Sequence, residues 1–307
     1  MVRVAPHNSV ARMGSQKADV LRYFRSSYAE EYDRLGDSGI GAVLERGLRW
    51  DFRGLLEKGG VLVFPHVHIA DCGPYTGAVV NACLDSGADQ VLAIGVLHAW
   101  TDEMVEARLI PEPEGHPLRG IYESGTDSRL GWPQEDHSLY GFTRLLGDAA
   151  RLRGVAAPRL VTRYPFLTGS RPESLPGIEE VAALAKNSVV VSTADHCHHG
   201  IGYGHSAEEA EYYDEQGLAK IRGIIEDGLG LLDSGRYGEY IEHCGSVAKS
   251  DWRDAGPLVH HLWGPFKSTV EALIPSDFTN SFQQWPAPTW CAGALVSSRP
   301  VSSSRAI

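Results

Sequence analysis

Short apolar runs alternate with stretches of helical periodicity through the middle of this 307-residue chain. The run 61–64 is followed by a helical pattern over 73–84 and by a second apolar run over 90–97. Further strand-like runs lie at 159–162 and 188–192, each preceded by a helical pattern. Repeated strand–helix–strand order places strands in one sheet with helices on its faces. We therefore predict an α/β fold with a mixed, mostly parallel central sheet flanked by helices.

Two further segments flank this α/β region. Apolar residues at helical spacing on both sides of Gly36 predict a helical arm over residues 1–59, packed on an α/β domain over 60–274. Residues 275–307 combine prolines, two tryptophans and a serine-rich end, which predicts an extended C-terminal tail. The sequence thus predicts an arm, a core domain and a tail.

Charge and cysteine content argue against several classes of protein. The formal net charge is -11, which argues against nucleic-acid partners because phosphate binding needs concentrated basic side chains. No run of about 18 apolar residues is present, so we predict no membrane span. The five cysteines include no CxxC pair, which indicates reduced thiols. We expect a soluble, cytoplasmic protein, with a homo-oligomer as an open alternative.

Histidines follow directly on two of the apolar runs. His66 comes just after the run 61–64, and His98 follows the run 90–97. Imidazole is the commonest metal-binding side chain, and ligands of open α/β sheets gather beyond the carboxyl ends of strands. Because we predict the two strands to be neighbours in one strand–helix–strand unit, His66 and His98 are the first candidates for metal ligands.

The segment Asp195-His196-Cys197-His198-His199 carries a carboxylate, a thiol and three imidazoles directly after a strand-like run. If the segment is extended, alternate side chains face opposite sides, so Asp195 and His198 point in opposite directions. A histidine beside a carboxylate suits general acid/base catalysis, since the carboxylate fixes the tautomer and raises the basicity of the ring. The segment therefore predicts proton transfer near the metal.

The third metal ligand has two candidates close together in the chain. A thiolate at Cys244 completes a site with three protein ligands and open positions, which is what a catalytic metal needs. A carboxylate at Glu242 is the alternative, because two histidines and one carboxylate form the usual oxygen-activating site for Fe(II). The spacing does not choose between them. His137, at the start of a predicted helix, is a further candidate to face the same cleft.

In their order along the chain, these motifs resemble those of the Memo family, which shares its fold with the class III extradiol dioxygenases. The resemblance covers about residues 60–250. It rests on the segments Phe64-Pro65-His66, Cys72-Gly73, Gly95-Val96-Leu97-His98, Asp136-His137-Ser138, Ser192-Thr193-Ala194-Asp195-His196-Cys197-His198 and Cys244-Gly245.

The resemblance implies a metal site lined by His66, His98 and Cys244, with Asp195 and His198 beside it. In the related extradiol dioxygenases the third ligand is Glu, and a histidine at the position similar to His198 acts as acid and base. On this basis we expect Asp195 and His198 to be the catalytic residues.

The chain departs from the family pattern in its surplus imidazoles. His68 follows two residues after His66, and His199 adds a further ring after the third strand. The arm and the tail have no clear counterpart in the family. Together with His137 and Tyr203, we expect His68 and His199 to bind the substrate.

These features lead to the hypothesis of a non-haem Fe(II)-dependent oxygenase or dioxygenase. It would act on O2 and a small phenolic or amino-acid-like metabolite, and Cu and Zn are the alternative metals. Two other classes remain open: a non-catalytic metal-binding protein of Memo type with a redox or peptide-interaction role, and a metal-dependent hydrolase with a Zn-bound water. An enclosed cleft favours an enzyme, whereas a shallow site beside an apolar patch favours an interaction module.

Overall fold

The computed structural model describes residues 8–98, 101–110, 113–123, 136–279 and 285–301, with side chains from residue 22 onward. Its helices are α1 (Asn8–Gly47), α2 (Arg53–Glu57), α3 (Ile69–Asp85), α4 (Asp102–Ala107), α5 (Tyr140–Arg153), α6 (Ile178–Ala185), α7 (Glu215–Asp233), α8 (Tyr237–His243) and α9 (Ala255–Trp263). Its strands are β1 (Val61–Phe64), β2 (Gln90–Ile94), β3 (Gly120–Tyr122), β4 (Arg159–Phe166), β5 (Val189–Thr193), β6 (Asp195–Gly200), β7 (Phe266–Asp277) and β8 (Thr289–Pro300). Strands and helices alternate from β1 to β5, as in other α/β folds.

The strands form one mixed sheet in the order β3-β4-β2-β5-β1-β8-β6, with β7 paired to β8. Parallel pairing is confined to the four adjacent strands β4, β2, β5 and β1. The remaining pairs are antiparallel. The predicted α/β class and mixed sheet with flanking helices are confirmed, but two details differ. The sheet is not mostly parallel, because four of the seven strand pairs in the described residues are antiparallel. Strand β5 lies between β1 and β2, so the strands that precede His66 and His98 are not neighbours.

Strand β8 lies inside the sheet, between β1 and β6, although it belongs to the predicted tail. Its residues Trp290 and Val296 are fully buried. Strand β7 continues across position 274, where the sequence predicts the end of the core domain. The strand residues 275–277 and 289–300 are therefore extended, but they complete the sheet and its core, because an apolar strand is stable only when both of its faces are covered.

The two faces of the sheet bury different apolar clusters. Leu62 and Phe64 pack with α1, α3 and α5 on one face, and Val61 and Val63 pack with α7, α8 and α9 on the other. Successive residues of a strand point to opposite faces, so a continuous apolar run fits a strand that is covered on both sides. Each fully buried side chain of this kind contributes about 1.5–3 kcal/mol.

Helix α1 lies within the predicted arm and bends at Gly36, whose φ is +56°. Such a left-handed conformation is strained for residues with a Cβ atom. After the bend, Asn81 of α3 donates to the Leu44 carbonyl at 2.9 Å, which fastens the arm to the core. Before it, Phe24 and Tyr28 are buried. Neither α1 nor any other helix in the described ranges is long and apolar enough to span a bilayer.

Candidate metal centre

The chain after β1 positions His66 at the carboxyl end of the parallel strands. Its amide donates to Asp195 Oδ1 at 3.1 Å, and its Nδ1 lies 3.0 Å from Thr193 Oγ1. The Thr193 hydroxyl donates its own proton to the Phe64 carbonyl at 2.8 Å, so Oγ1 accepts from Nδ1. The neutral His66 ring therefore carries its proton on Nδ1 and presents the lone pair of Nε2.

His98, after β2, is held in the same way by a carboxylate. Its Nδ1 lies 3.2 Å from Asp136 Oδ1, and its amide donates to Asp136 Oδ2. The amide of Ser138 donates to Asp136 Oδ1 at 2.8 Å, which fixes the carboxylate. A carboxylate on Nδ1 orients a metal-binding imidazole and raises its basicity. In the neutral ring the lone pair of His98 Nε2 is thus also available to a metal ion, and the centroids of the His66 and His98 rings are 5.0 Å apart.

Both Nε2 atoms face Asp251, a residue that the sequence analysis does not single out. Asp251 Oδ2 lies 3.1 Å from His66 Nε2 and 3.5 Å from His98 Nε2. Its Oδ1 accepts from the Asp195 amide at 2.9 Å, so the two oxygens have separate roles. The carboxylate of Asp251 thereby lies where the sequence predicted the third ligand.

The sequence patterns do not indicate Asp251, because it follows no apolar run and lies in a polar segment. The local signal is Ser250-Asp251-Trp252: Ser250 Oγ accepts from the Trp252 amide at 3.2 Å and opens a short turn. Trp252 is fully buried, and its Nε1 donates to Ser192 Oγ at the end of β5, at 2.9 Å. The buried indole fastens the turn to the sheet and sets the position of the carboxylate.

The three atoms that meet here are all hydrogen-bond acceptors when the imidazoles are neutral. Asp251 Oδ2 is buried and, when both imidazoles are neutral, has no hydrogen-bond donor among the described residues. Facing acceptors repel one another unless a cation, either a proton or a metal ion, lies between them. Two histidines and one carboxylate are the donor set of non-haem Fe(II) sites. The residues present therefore fit a divalent metal ion.

The pKa values indicate how strongly the centre favours positive charge. Burial alone would lower the pKa of His98, but Asp136 and Asp251 outweigh it and raise the pKa to about 10. Burial also favours the neutral form of His66, but the negative charges of Asp195 and Asp251 outweigh it and raise the His66 pKa. Burial favours neutral Asp251, yet His66 and His98 hold its pKa well below its ordinary value. In the metal-free protein, protons bound to the two imidazoles supply this positive charge, and a metal ion can displace them.

The β6 strand brings Asp195 and His198 to the same side, contrary to the predicted alternation. The β6–β8 register shifts between Asp195 and Cys197, which marks a β-bulge. One extra residue changes which later side chains face the site, and ligand atoms of Asp195, His198 and Cys291 lie within 4.8 Å of one another. His198 Nδ1 donates to the Lys249 carbonyl at 2.7 Å, so its Nε2 can accept a proton.

Neither predicted third ligand from the segment around Cys244 joins these groups. Cys244 is buried in the apolar cluster of α7, α8 and α9, at the start of a single π-helical turn. Burial raises the pKa of its thiol to about 12. Glu242 is exposed on α8. Neither belongs to a set of possible ligand atoms within 4.8 Å in the described part of the chain. The π-helical turn directs Cys244 into the core, and Asp251 stands in its predicted place.

Among the predicted substrate-binding residues, His137 and Tyr203 adjoin the centre. The His137 ring lies 4.3 Å from the His98 ring. Its Nδ1 is buried without a partner in the described ranges. Burial and the neighbouring His98 lower the pKa of His137 well below its ordinary value, which keeps it neutral. Tyr203 packs on His198 at 4.8 Å. Both can contact a molecule bound at the metal.

The other two predicted substrate residues lie farther out. His68 precedes α3 and lies 3.3 Å from Glu31 of α1, with the Tyr28 ring at 5.2 Å. His199 packs against His205 at 4.4 Å, and its Nε2 accepts from the Glu211 amide at 3.0 Å. The structure therefore brings His68 to the arm and does not bring His199 to the metal centre.

Aromatic side chains of helix α1 cover the centre on the side of His137. Phe24 stacks on His137 at 5.7 Å, and Tyr28 packs on the same ring at 5.6 Å. A cavity of about 20 Å³, room for a water molecule, remains beside Tyr28, His66 and His137. Burial, with the negative charge of Asp195 nearby, raises the pKa of Tyr28 well above its ordinary value. The arm thus encloses the centre with aromatic rings.

Comparison of the chain with models of known protein families finds no match, and comparison with curated proteins finds none either.

Proposed function

We propose that this protein is a non-haem Fe(II)-dependent oxygenase or dioxygenase acting on a small phenolic or amino-acid-like metabolite. We further propose a fold relation to the Memo family and the class III extradiol dioxygenases. One observation carries the functional proposal: His66 Nε2 and His98 Nε2 both face the buried Asp251 Oδ2, at 3.1 Å and 3.5 Å. A three-ligand set of this kind leaves positions for other ligands.

His66, His98 and Asp251 would hold the iron. When bound, ferrous iron supplies electrons and open coordination positions for a reaction between the substrate and dioxygen. The hydrogen bonds of Thr193 and Asp136 keep both Nε2 lone pairs directed at the metal position.

His198 accepts the proton of a substrate hydroxyl group. Its Nδ1–H is held by the Lys249 carbonyl, which leaves Nε2 as the basic nitrogen. Asp195 lies beside it and accepts a hydrogen bond from the His66 amide. General base catalysis by a positioned side chain accelerates such a step about 10²–10⁴-fold.

The enclosure of the centre supports an enzyme over an interaction module. His66 is 7% exposed and His137 is 7% exposed, and the rings of Phe24 and Tyr28 cover the rim. Water exclusion strengthens the electrostatic contacts of a reacting group, whereas a docking surface must be open to its partner. Substrate entry requires the aromatic side chains of α1 to move aside.

The test is oxygen uptake by protein that is purified without oxygen and then loaded with Fe(II). Catechols, aminophenols and aromatic amino acids are supplied in turn. We expect uptake with one class, and a loss of about 100-fold or more in His198→Gln at unchanged iron content. His261→Gln, which changes an exposed imidazole on α9, serves as the control and keeps full activity. Absence of iron binding, or of uptake across the panel, contradicts the proposal.

A further inference from the structure

A second cluster of ligand atoms lies on the strands next to the candidate centre. Atoms of Asp195, His198 and Cys291 lie within 4.8 Å of one another. In the antiparallel register His198 of β6 is directly opposite Cys291 of β8, and Asp195 is opposite Gly293. Directly opposite residues hold their Cβ atoms about 4.5–5.5 Å apart. Sheet pairing itself therefore fixes the spacing of the imidazole and the thiol.

The free atoms of this cluster are metal donors. The Lys249 carbonyl engages His198 Nδ1 and leaves Nε2 for a ligand. Asp195 Oδ1 accepts a hydrogen bond from the His66 amide at 3.1 Å, and Oδ2, 3.6 Å from His66 Nε2, lies at the boundary of the two groups of ligand atoms. The Cys291 side chain is 0% exposed, so water does not compete for its sulfur. Sulfur, imidazole and carboxylate are the donors that Zn²⁺ takes, and three protein ligands leave its fourth tetrahedral position open.

We propose that Asp195, His198 and Cys291 form a second metal position, beside the candidate centre, that binds a thiophilic divalent cation such as Zn²⁺. Binding releases the thiol proton to solvent. Asp195 also groups with His66 and Asp251, so its carboxylate connects the two positions.

The second position does not depend on the oxygenase proposal, because none of its donors is one of the proposed iron ligands His66, His98 and Asp251. One consequence does rest on the proposed function. An ion at this position uses the Nε2 lone pair of His198. While the ion is bound, His198 cannot accept a proton from the substrate.

Cobalt(II) tests the position, because Co²⁺ takes the place of Zn²⁺ and a cobalt–thiolate bond gives a near-ultraviolet charge-transfer band. Metal-free protein is titrated without oxygen, and bound cobalt is counted by equilibrium dialysis. We expect two ions per chain and the charge-transfer band in the wild type. His66→Ala loses one ion and keeps the band. Cys291→Ser loses the band and binds the second ion at least about tenfold more weakly.

Cys197→Ser is the matched control, because Cys197 is equally buried, lies next to His198 on β6 and packs in the opposite apolar cluster. It keeps the band. His198→Gln, at a partly exposed position, gives the same weakening and serves if Cys291→Ser does not fold. A folded wild type without the band, or an unchanged band in Cys291→Ser, overturns the second position. The cobalt band tests the second position alone, whereas absence of oxygen uptake in Fe(II)-loaded protein whose second position is empty would contradict the proposed function alone.

Discussion

Two regions of the molecule bury histidine beside carboxylate, and they differ in what the ring nitrogens face. At His260, Nδ1 donates to the Gly256 carbonyl at 3.1 Å, and Nε2 lies 3.2 Å from Asp233 and 3.4 Å from Ser268. His260 Nε2 faces Asp233 much as His66 Nε2 faces Asp251, but both oxygens of Asp233 also accept from Ser268, from its amide and from its hydroxyl, each at 2.7 Å. This cluster joins α7, α9 and β7 and is complete without a ligand.

At the metal centre the partners are arranged differently. The Nδ1 atoms of His66 and His98 are engaged, but their Nε2 atoms converge on a carboxylate oxygen that has no donor among the described residues. Burial is common to both regions, so burial alone does not distinguish a structural histidine from a ligand. The distinguishing feature is that two imidazole nitrogens converge on one carboxylate oxygen that no other donor in the described residues satisfies.

Replacing Asp251 tests this contrast most directly. Asp251→Asn removes the negative oxygen between the two Nε2 atoms, and we expect the Fe(II) affinity to fall by more than about 100-fold. Equilibrium dialysis with elemental analysis measures it. Asp254→Asn is the control, since Asp254 is a buried carboxylate three positions on that pairs with Arg108 at 2.7 Å. If Asp251→Asn keeps wild-type iron binding, the centre is only a hydrogen-bonded cluster like that of His260.

His260→Ala probes the other region. It leaves Asp233 and Ser268 without their buried partner, and we expect the free energy of unfolding to fall by about 3 kcal/mol. Iron affinity stays near the wild-type value: His260 packs on Trp252 with 5.7 Å between the ring centroids, but the hydrogen bond from Trp252 Nε1 to Ser192 still holds the indole and the turn at Asp251. Chemical denaturation of the metal-free protein and iron titration measure the two quantities. A loss of iron binding at full stability would reverse our assignment of the two regions.

The partners of Nδ1 provide a finer test within the centre. Asp136→Asn removes the charge that orients His98, and we expect the iron affinity to fall about 10–100-fold. Thr193→Val removes a neutral hydroxyl from His66 and serves as the matched comparison with a smaller loss. Iron titration of both variants shows which substitution lowers the iron affinity more. Equal affinities in both variants and the wild type would show that the Nδ1 partners do not matter.

The smallest effect is expected where the arm meets α3. Glu31 accepts from the Ile69 and Ala70 amides at 3.0 Å each. Burial tends to raise the Glu31 pKa, but hydrogen bonds from His68 and Ala70 outweigh it and lower the pKa from its ordinary 4.5. Because the folded pKa is the lower one, the stabilisation is present above pH 4.5 and is lost as the pH falls through the folded pKa.

Glu31→Gln should therefore cost about 1 kcal/mol of unfolding free energy near neutral pH and remove this part of the acid sensitivity. Denaturation of both proteins in a pH series that runs below 4.5 measures it. A constant difference between the two proteins at every pH would show that the carboxylate charge is not responsible.

Local patterns were sufficient to predict the parallel strands and the histidines that follow them. The apolar run of β1 and the valines of β5 lie where they were predicted, because a strand buried on both faces needs a continuous apolar run. His66 and His98 meet at the ends of their strands, although β5 separates the strands. A local rule about strand ends thus held while the predicted strand order did not.

Other parts of the site depend on contacts between distant segments. Strand β8 reads as a tail in the sequence because nothing local indicates its place between β1 and β6. The bulge in β6 places Asp195 and His198 together, whereas strict alternation separates them. The turn at Asp251 is fixed by Trp252 on Ser192, 60 positions away in the chain. Local periodicity contains no information about such contacts.

Residue type and periodicity determined the α/β class, the positions of the buried strands and the presence of imidazoles at their ends, because these depend on neighbours along the chain. Only the tertiary structure decided which carboxylate meets His66 and His98, and that Cys291 lies opposite His198. His66 and Asp195 are 129 positions apart in the chain. Their meeting follows from sheet order and helix packing, which apolar burial selects for the whole domain at once.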